Sequence, residues 1–156
     1  MLIALQGTAA QSEARYNAKT NYILHCQGCH GADGVGALPE AVPPLANSIG
    51  TFLRVPEGRR YQVQVPGAAY SAVDDAALAE LLNYALERFS SAQLPADFRR
   101  YTVEDVARVR RLPENIVALR ARLIAELRED HGVCVWVADD PLWGSDCGEK
   151  SYGSVD

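Results

Sequence analysis

The sequence predicts a mainly α-helical protein. Apolar residues recur at spacings of three and four over residues 12–26 and again over residues 75–89, which is the pattern of an amphipathic helix. Between them, residues 31–73 are rich in Gly and Pro and favour neither a long helix nor a central strand. A loop of this length is unusual in a compact domain. We therefore expect residues 31–73 to wrap around a bound group that supplies apolar surface.

The two predicted helices have recognisable N-termini. Ser12 can cap the first helix, whose regularly spaced positions are Tyr16, Lys19, Tyr22, Ile23 and Cys26. Asp74 and Asp75 suit the start of the second helix, because carboxylates stabilise helix N-termini. The apolar face of the second helix comprises Leu78, Leu81, Leu82, Ala85, Leu86 and Phe89.

Two more helices are predicted in the C-terminal third of the chain. Thr102 with Asp105 resembles a capping box and predicts a short helix over residues 103–111. Pro113 suits the first turn of a last helix, which ends near Glu129. The apolar face of this last helix comprises Ile116, Leu119, Leu123, Ile124 and Leu127. Its arginines are expected on a solvated face: Arg120, Arg122 and Arg128.

The chain changes character after residue 132. An alternation of valines predicts a short strand through Val133, Val135 and Val137. Cys134 and Cys147 are expected to form a disulfide if the compartment is oxidising, closing a loop of about 14 residues. Trp136 and Trp143 flank this loop and are either local core or anchors for a partner.

The composition narrows the function classes. The 156 residues carry a formal net charge of -5. An acidic balance argues against nucleic-acid binding, which favours clustered Lys and Arg, and it suits docking on a basic partner. No stretch approaches the roughly 20 apolar residues of a membrane-spanning helix. Residues 1–11 are interpreted as a secretory-signal remnant or a disordered tail.

Cys26, Cys29 and His30 form a Cys-x-x-Cys-His motif, which indicates covalent attachment of one haem. Two thiols three residues apart lie on one side of a helical turn, where both can add to the vinyl groups of one haem. The adjacent imidazole is then aimed at the iron. The alternatives are a redox Cys-x-x-Cys motif, which favours a preceding strand, and half of a zinc site, which needs a further ligand such as His131 or the distant cysteines. The helix predicted before the motif favours haem.

The chain resembles the class I cytochromes c over residues 12–92. YILHCQGCHGADGVG is similar to their haem helix and glycine-rich turn, VPPLANSIG to their proline–leucine segment, and DDAALAELLNYAL to their last helix. The resemblance implies one haem c and periplasmic electron transfer. It also implies that the carbonyl of Pro43 or Pro44 accepts a hydrogen bond from the imidazole of His30, which would fix the ring and raise its basicity. The glycines after His30 are expected to let the chain pass close to the haem edge.

The second axial position of the iron departs from that family. Its members normally supply Met from a Met-Pro pair before the last helix, and this chain has Val65-Pro66 there, since its one Met is Met1. Loss of a Met ligand should lower the reduction potential. Candidate ligands for the sixth coordination position of the iron are His131 or Tyr70, and also Tyr61 or Gln64. The alternative is that this position is open and lined by Val65.

Three arginines precede that position and are candidates for binding the haem propionates: Arg54, Arg59 and Arg60. A guanidinium group binds a carboxylate through two parallel hydrogen bonds. The alternative is a solvated charge cluster, because most arginines are exposed. Tyr61 is a candidate for packing against the haem or contacting a propionate.

Three functions remain open at this point. The first is a periplasmic monohaem cytochrome that passes single electrons to or from a redox enzyme or another cytochrome, more as a subunit or docked partner than as a stand-alone enzyme. The second is a small-molecule-binding or catalytic haem with an open sixth position. The third is a structural haem subunit, in which residues 93–156 form a helical extension with a disulfide-closed tail that docks in a hetero-oligomer. The sequence contains no specific set of catalytic side chains.

Overall fold

A computed structural model describes residues 16–36, 42–111, 115–133 and 135. These residues are mainly helical and contain no strand, which confirms the predicted fold class. Seven α-helices occur in this part of the chain: α1 (Ala18–His25), α2 (Gln27–His30), α3 (Gly58–Gln64), α4 (Pro66–Ala69), α5 (Asp75–Phe89), α6 (Val103–Val109) and α7 (Ile116–His131). Two 3₁₀ segments accompany them, Ile49–Arg54 and Ser91–Gln93.

Helix α1 begins later than the predicted residue 12. The side chain of Asn17 caps it by accepting a hydrogen bond from Thr20 N at 2.9 Å, and Ser12 lies outside the described residues. The helix ends where the backbone of Cys26 turns away, and α2 follows directly. Only Asn21 and Tyr22 of α1 are buried, and Ile23, which belongs to the predicted apolar spacing, is 49% exposed.

The expectation of one long loop over residues 31–73 is wrong for its second half. The 3₁₀ segment Ile49–Arg54, α3 and α4 all lie within it. Gly and Pro residues stand at or near the boundaries of these short helices, so helices form between them. Pro66 occupies the first turn of α4, where its missing N–H costs nothing. Gly58 opens α3 against the backbone of Phe52, where an added Cβ would lie 1.6 Å from the carbonyl oxygen.

Helix α5 contacts helices from early and late parts of the chain. Its predicted start is confirmed, because the side chain of Asp74 caps it by accepting a hydrogen bond from Ala77 N at 2.8 Å. The helix packs against both α1 and α6. A buried core cluster joins it to α3 and α6 through Val63, Leu78, Ala79, Leu82, Leu86, Tyr101 and Val106.

The capping box of α6 is confirmed. Asp105 N donates to Thr102 Oγ1 at 3.3 Å, and Thr102 N donates to the Asp105 carboxylate at 3.2 Å. Arg110 follows this helix and is buried.

Helix α7 begins at Ile116, where the side chain of Asn115 caps it, so its start is later than the predicted Pro113, which lies outside the described residues. It ends at Gly132, which adopts the left-handed conformation common at helix C-termini. Buried residues join α7 to α3 and to the 3₁₀ segment Ile49–Arg54. We call them the α7 cluster: Phe52, Val55, Tyr61, Leu119, Leu123, Ile124, Leu127 and Val135.

Several predictions fall on residues that the structure does not describe. These are the nature of residues 1–11, the Cys134–Cys147 disulfide and most of the strand around residue 135, together with Trp136 and Trp143. Val135 is buried in the α7 cluster, and Val133 N donates to Leu127 O at 3.0 Å. No helix among the described residues has both the length and the apolar character needed to cross a membrane.

Candidate functional site

The helices enclose a largely apolar cavity of about 640 Å³. This volume lies in the range of clefts that hold cofactor-sized molecules. Cys26, Cys29 and His30 all line it. Leucines of α5 and prolines 43 and 44 supply further apolar surface. The predicted bound group therefore has a matching space next to the motif.

One helical turn places the three motif side chains on this wall. Cys29 N and His30 N both donate to Cys26 O, at 3.1 and 3.0 Å, which closes α2 as a short helix. Residues at positions i, i+3 and i+4 of such a turn share one face. The thiol of Cys26 is half-buried, whereas Cys29 is exposed. The two cysteines are not joined by a disulfide, and both line the cavity.

Burial controls the electrostatics of the motif. Burial first, and the neighbouring Cys29 second, raise the pKa of the Cys26 thiol to about 11. Redox-active cysteines have a lowered pKa, so this thiol does not resemble an activated one. Burial lowers the pKa of His30, and the backbone carbonyl of Pro43 acts in the opposite direction.

The Nδ1 atom of His30 makes no direct hydrogen bond of good geometry among the described residues, although it is buried. The Pro43 carbonyl is nevertheless close enough to affect the pKa of the ring. A buried imidazole nitrogen beside a carbonyl suits a histidine that ligates a metal through its other nitrogen. Pro44 also lines the cavity and is buried.

Tyr22 is a site residue that sequence reasoning treated only as part of a helix face. Its side chain is 2% exposed, and its hydroxyl donates to Gly31 O at 2.7 Å. This bond fixes the turn that follows His30. Burial, followed by the nearby Cys26, raises the pKa of Tyr22 to about 12. The spacing in the sequence could have indicated this role. Tyr22 lies four positions before Cys26, so the two side chains fall on the same face of the helix.

The glycines after His30 adopt backbone conformations that favour glycine. Gly31, Gly34 and Gly36 have positive φ, but none of them lines the cavity. A Cβ on Gly34 would lie 2.9 Å from the ring of Phe89. The close approach is therefore to the chain's own core, and Gly34 O accepts hydrogen bonds that tie residues 45–46 to this turn.

Another wall of the cavity comes from α3 and α4. Val65 lines it at the break between these helices, followed by Pro66, Gly67 and Ala68. Tyr61 lines it one helical turn before Val65 and stacks on Phe52 with ring centroids 5.0 Å apart. None of the side chains at positions 65–68 has an atom that coordinates iron.

The predicted propionate arginines do not line the cavity. Arg54 Nε donates to Gln93 O at 3.3 Å. Arg59 stacks on Tyr101 and donates to the Asp105 carboxylate at 3.0 Å. Arg60 forms an ion pair with Glu57. The first two of these arginines tie the early helices to residues 93–105, a role that depends on partners about 40 positions away.

Most of the proposed sixth ligands also lie elsewhere. His131 is exposed at the end of α7, beside a small separate pocket that includes Arg54. Tyr70 is 87% exposed and does not line the cavity. Gln64 is buried away from it, and its Nε2 donates to Val109 O at 2.9 Å. Of the four named side chains, only Tyr61 lines the cavity.

Arg120 is the site residue that the sequence interpretation misplaced. It is half-buried and lines the cavity from α7, not from a solvated face. Its Nη1 donates to the hydroxyl of Tyr61 at 2.9 Å. Ile116 and Val117 of the same helix line the cavity as well. Residues assigned to the extension thus contribute to the site.

A turn with two cysteines and a histidine, set in the wall of an apolar cavity of this volume, is typical of c-type cytochromes. The chain is similar to cytochrome c-552 of Thermus thermophilus, with 29% identity over 119 aligned residues that cover 63% of this chain and 90% of that protein. A second cytochrome c-552, from a particular strain of the same species, gives the same identity, with 80% of its length covered. No family model matches the chain. These similarities support a c-type cytochrome that carries one haem c.

Proposed function

We propose that this protein is a monohaem c-type cytochrome that transfers single electrons. The observation that carries the proposal is the meeting of Cys26, Cys29 and His30 on the wall of one largely apolar cavity of about 640 Å³. The bound haem supplies the one-electron redox centre. The two cysteines hold it covalently, so that its retention does not depend on the strength of the iron ligands.

The protein residues orient and shield that centre. His30 provides the proximal nitrogen, and the nearby Pro43 carbonyl favours the tautomer in which the other ring nitrogen carries the proton. Tyr22 fixes the turn after His30 through its bond to Gly31 O. The apolar walls exclude water and thereby limit the reorganisation that electron transfer requires.

Location and partners form the finer part of the proposal. We place the protein in the periplasm, where covalent haem attachment occurs, and assign it a redox enzyme or another cytochrome as partner. The net charge of -5 supports docking on a basic surface. We propose that residues 12–92 carry the haem motif and that the extension after them completes the cavity.

The test is production of the chain with a haem c maturation system. We expect haem that resists acid–acetone extraction and a reversible voltammetric wave with a one-electron slope. Cys26→Ala combined with Cys29→Ala should release the haem, while Lys19→Ala, an exposed change on α1, should retain it. Extractable haem in the parent chain, or a wave that is not reversible, would contradict the proposal.

Binding of a small molecule at the iron is a second candidate function. It is favoured by the apolar stretch Val65–Ala68, which lines the cavity and offers no coordinating atom. Carbon monoxide binding to the reduced protein with His30 still attached would support this function. A six-coordinate low-spin iron in both oxidation states, unaffected by carbon monoxide, would exclude it.

A further inference from the structure

Arg120 brings a guanidinium group to a cavity wall that is otherwise largely apolar. Its Nη1 donates to the Tyr61 hydroxyl at 2.9 Å, and its guanidinium carbon lies 5.4 Å from the ring centroid of Phe52. A cation at this distance from an aromatic ring is attracted to it. Because Tyr61 is itself 7% exposed and packed on Phe52, the pair is held by the core.

Helix periodicity explains why this arginine, and not its neighbours, reaches the cavity. The buried positions of α7 follow the i, i+3, i+4, i+7 rule and include Leu119 and Leu123. Arg120 falls four positions after Ile116 and four before Ile124, within that stripe. Arg122 lies on the other side of the helix and is exposed.

The two side chains together offer hydrogen-bond donors of the kind that bind anions. A guanidinium carries five N–H donors. A hydroxyl that accepts a bond from arginine keeps its own proton to donate. Charge-assisted bonds from arginine to an anion are about twice as strong as neutral ones, and they gain further strength where apolar walls exclude water.

We propose that Arg120 and Tyr61 form an anion site in the wall of the cavity, so that helix α7 takes part in ligand binding. The inference rests on the proposed haem function. The ligand is a carboxylate or a small inorganic anion, and it has two sources. One is a propionate of the haem itself, and the other is a free anion that enters the cavity and binds beside the iron.

The test compares Arg120→Gln with Arg122→Gln in the haem-loaded full chain. Both changes remove one positive charge from α7, but only the first removes it from the cavity. One arm measures the propionate bending bands by resonance Raman spectroscopy. The other arm measures the dissociation constant of azide for the oxidised protein by absorbance. Covalent haem content, measured in parallel, reports on the proposed function separately.

We expect Arg120→Gln to differ from Arg122→Gln in at least one arm. Shifted propionate bands with unchanged azide affinity assign the site to the propionate. Azide binding weakened by roughly tenfold or more, with unchanged bands, assigns it to a free anion. Tyr61→Phe, which keeps the ring and removes the O–H donor, should act in the same direction with a smaller effect.

Equal behaviour of the two glutamine variants in both arms, in protein that carries covalent haem, would overturn the anion site and leave the proposed function intact. If Arg120→Gln does not fold, Arg120→Met removes the charge and the donors and keeps an apolar side chain of similar length. Parental behaviour of Arg120→Met together with Tyr61→Phe would likewise overturn the proposal.

Discussion

The wall of the cavity that carries the haem motif and the wall that carries Arg120 are built in different ways. On the first, Cys26, Cys29 and His30 lie on one helical turn held by bonds between residues three and four apart. On the second, the bond between Arg120 and Tyr61 joins residues 59 positions apart. The first wall is thus a local property of five residues, whereas the second exists only if α7 docks on α3. The residues that attach the cofactor are therefore fixed by local sequence, whereas the residues that line the second wall are fixed by tertiary packing.

The largest expected effect on the second wall comes from its core. Leu123 is fully buried in the α7 cluster, so Leu123→Ala should lower the free energy of unfolding by about 2–5 kcal/mol. Val117→Ala, on the same helix at 81% exposure, should change it by less than about 0.5 kcal/mol. Urea unfolding followed by circular dichroism measures both.

The same experiment decides whether the two walls unfold together. Because the α7 cluster includes residues from both the early segment and the extension, we expect one cooperative transition. Separate transitions, with only the first one shifted by Leu123→Ala, would show that residues 93–156 form an independent unit.

Arg110 should have the next largest effect. It is buried, forms an ion pair with Asp75 at 2.9 Å and donates to Ser71 O at 2.7 Å, so it binds the segment that follows α4 to the end of α6. Arg110→Met should destabilise the protein by about 2–3 kcal/mol, since it leaves buried carbonyls and a carboxylate without their donor.

The exposed Arg108 provides the control for Arg110. Arg108→Met should cost less than about 1 kcal/mol, because exposed ion pairs contribute little. In the haem-loaded protein, Arg110→Met should also alter the Soret band, as the wall at positions 65–68 loses its support. Equal effects of the two changes on stability would mean that this segment is held by other contacts.

A smaller, pH-dependent effect is expected at Asp105, which joins α6 to Arg59 of α3. Burial raises the pKa of this carboxyl, but the Thr102 backbone N–H and then Arg59 outweigh burial, and the pKa lies below its ordinary value. The stabilisation is therefore complete above about pH 4 and is lost as the pH falls through the lowered native pKa.

Asp105→Asn should accordingly destabilise the protein by about 1 kcal/mol at pH 7. The difference from the parent should shrink as the pH is lowered below about 4. Chemical denaturation at pH 7, 4 and 3 measures this. The exposed Asp97→Asn serves as the control, and a difference that stays constant across these pH values would contradict the assignment.

Local patterns predicted the parts of the fold whose determinants are close in sequence. The span of α5 and its Asp74 cap, together with the Thr102–Asp105 capping box, follow from residues within one or two turns. The short helices between residues 49 and 69 were missed because Gly58 and Pro66 were interpreted as helix breakers, when they stand at helix starts. The hydrogen bonds of Arg59 were not predictable because its partners lie 40 or more positions away.

The sequence by itself determined the motif and its place on a helical turn, because the spacing of Cys26, Cys29 and His30 requires nothing beyond local backbone geometry. It also determined that Val65 precedes Pro66 and that the chain has one methionine, Met1. Only the tertiary structure decided which polar groups reach the cavity. Arg54, Arg59 and Arg120 have the same chemistry, and the docking of α7 through its buried stripe selects Arg120.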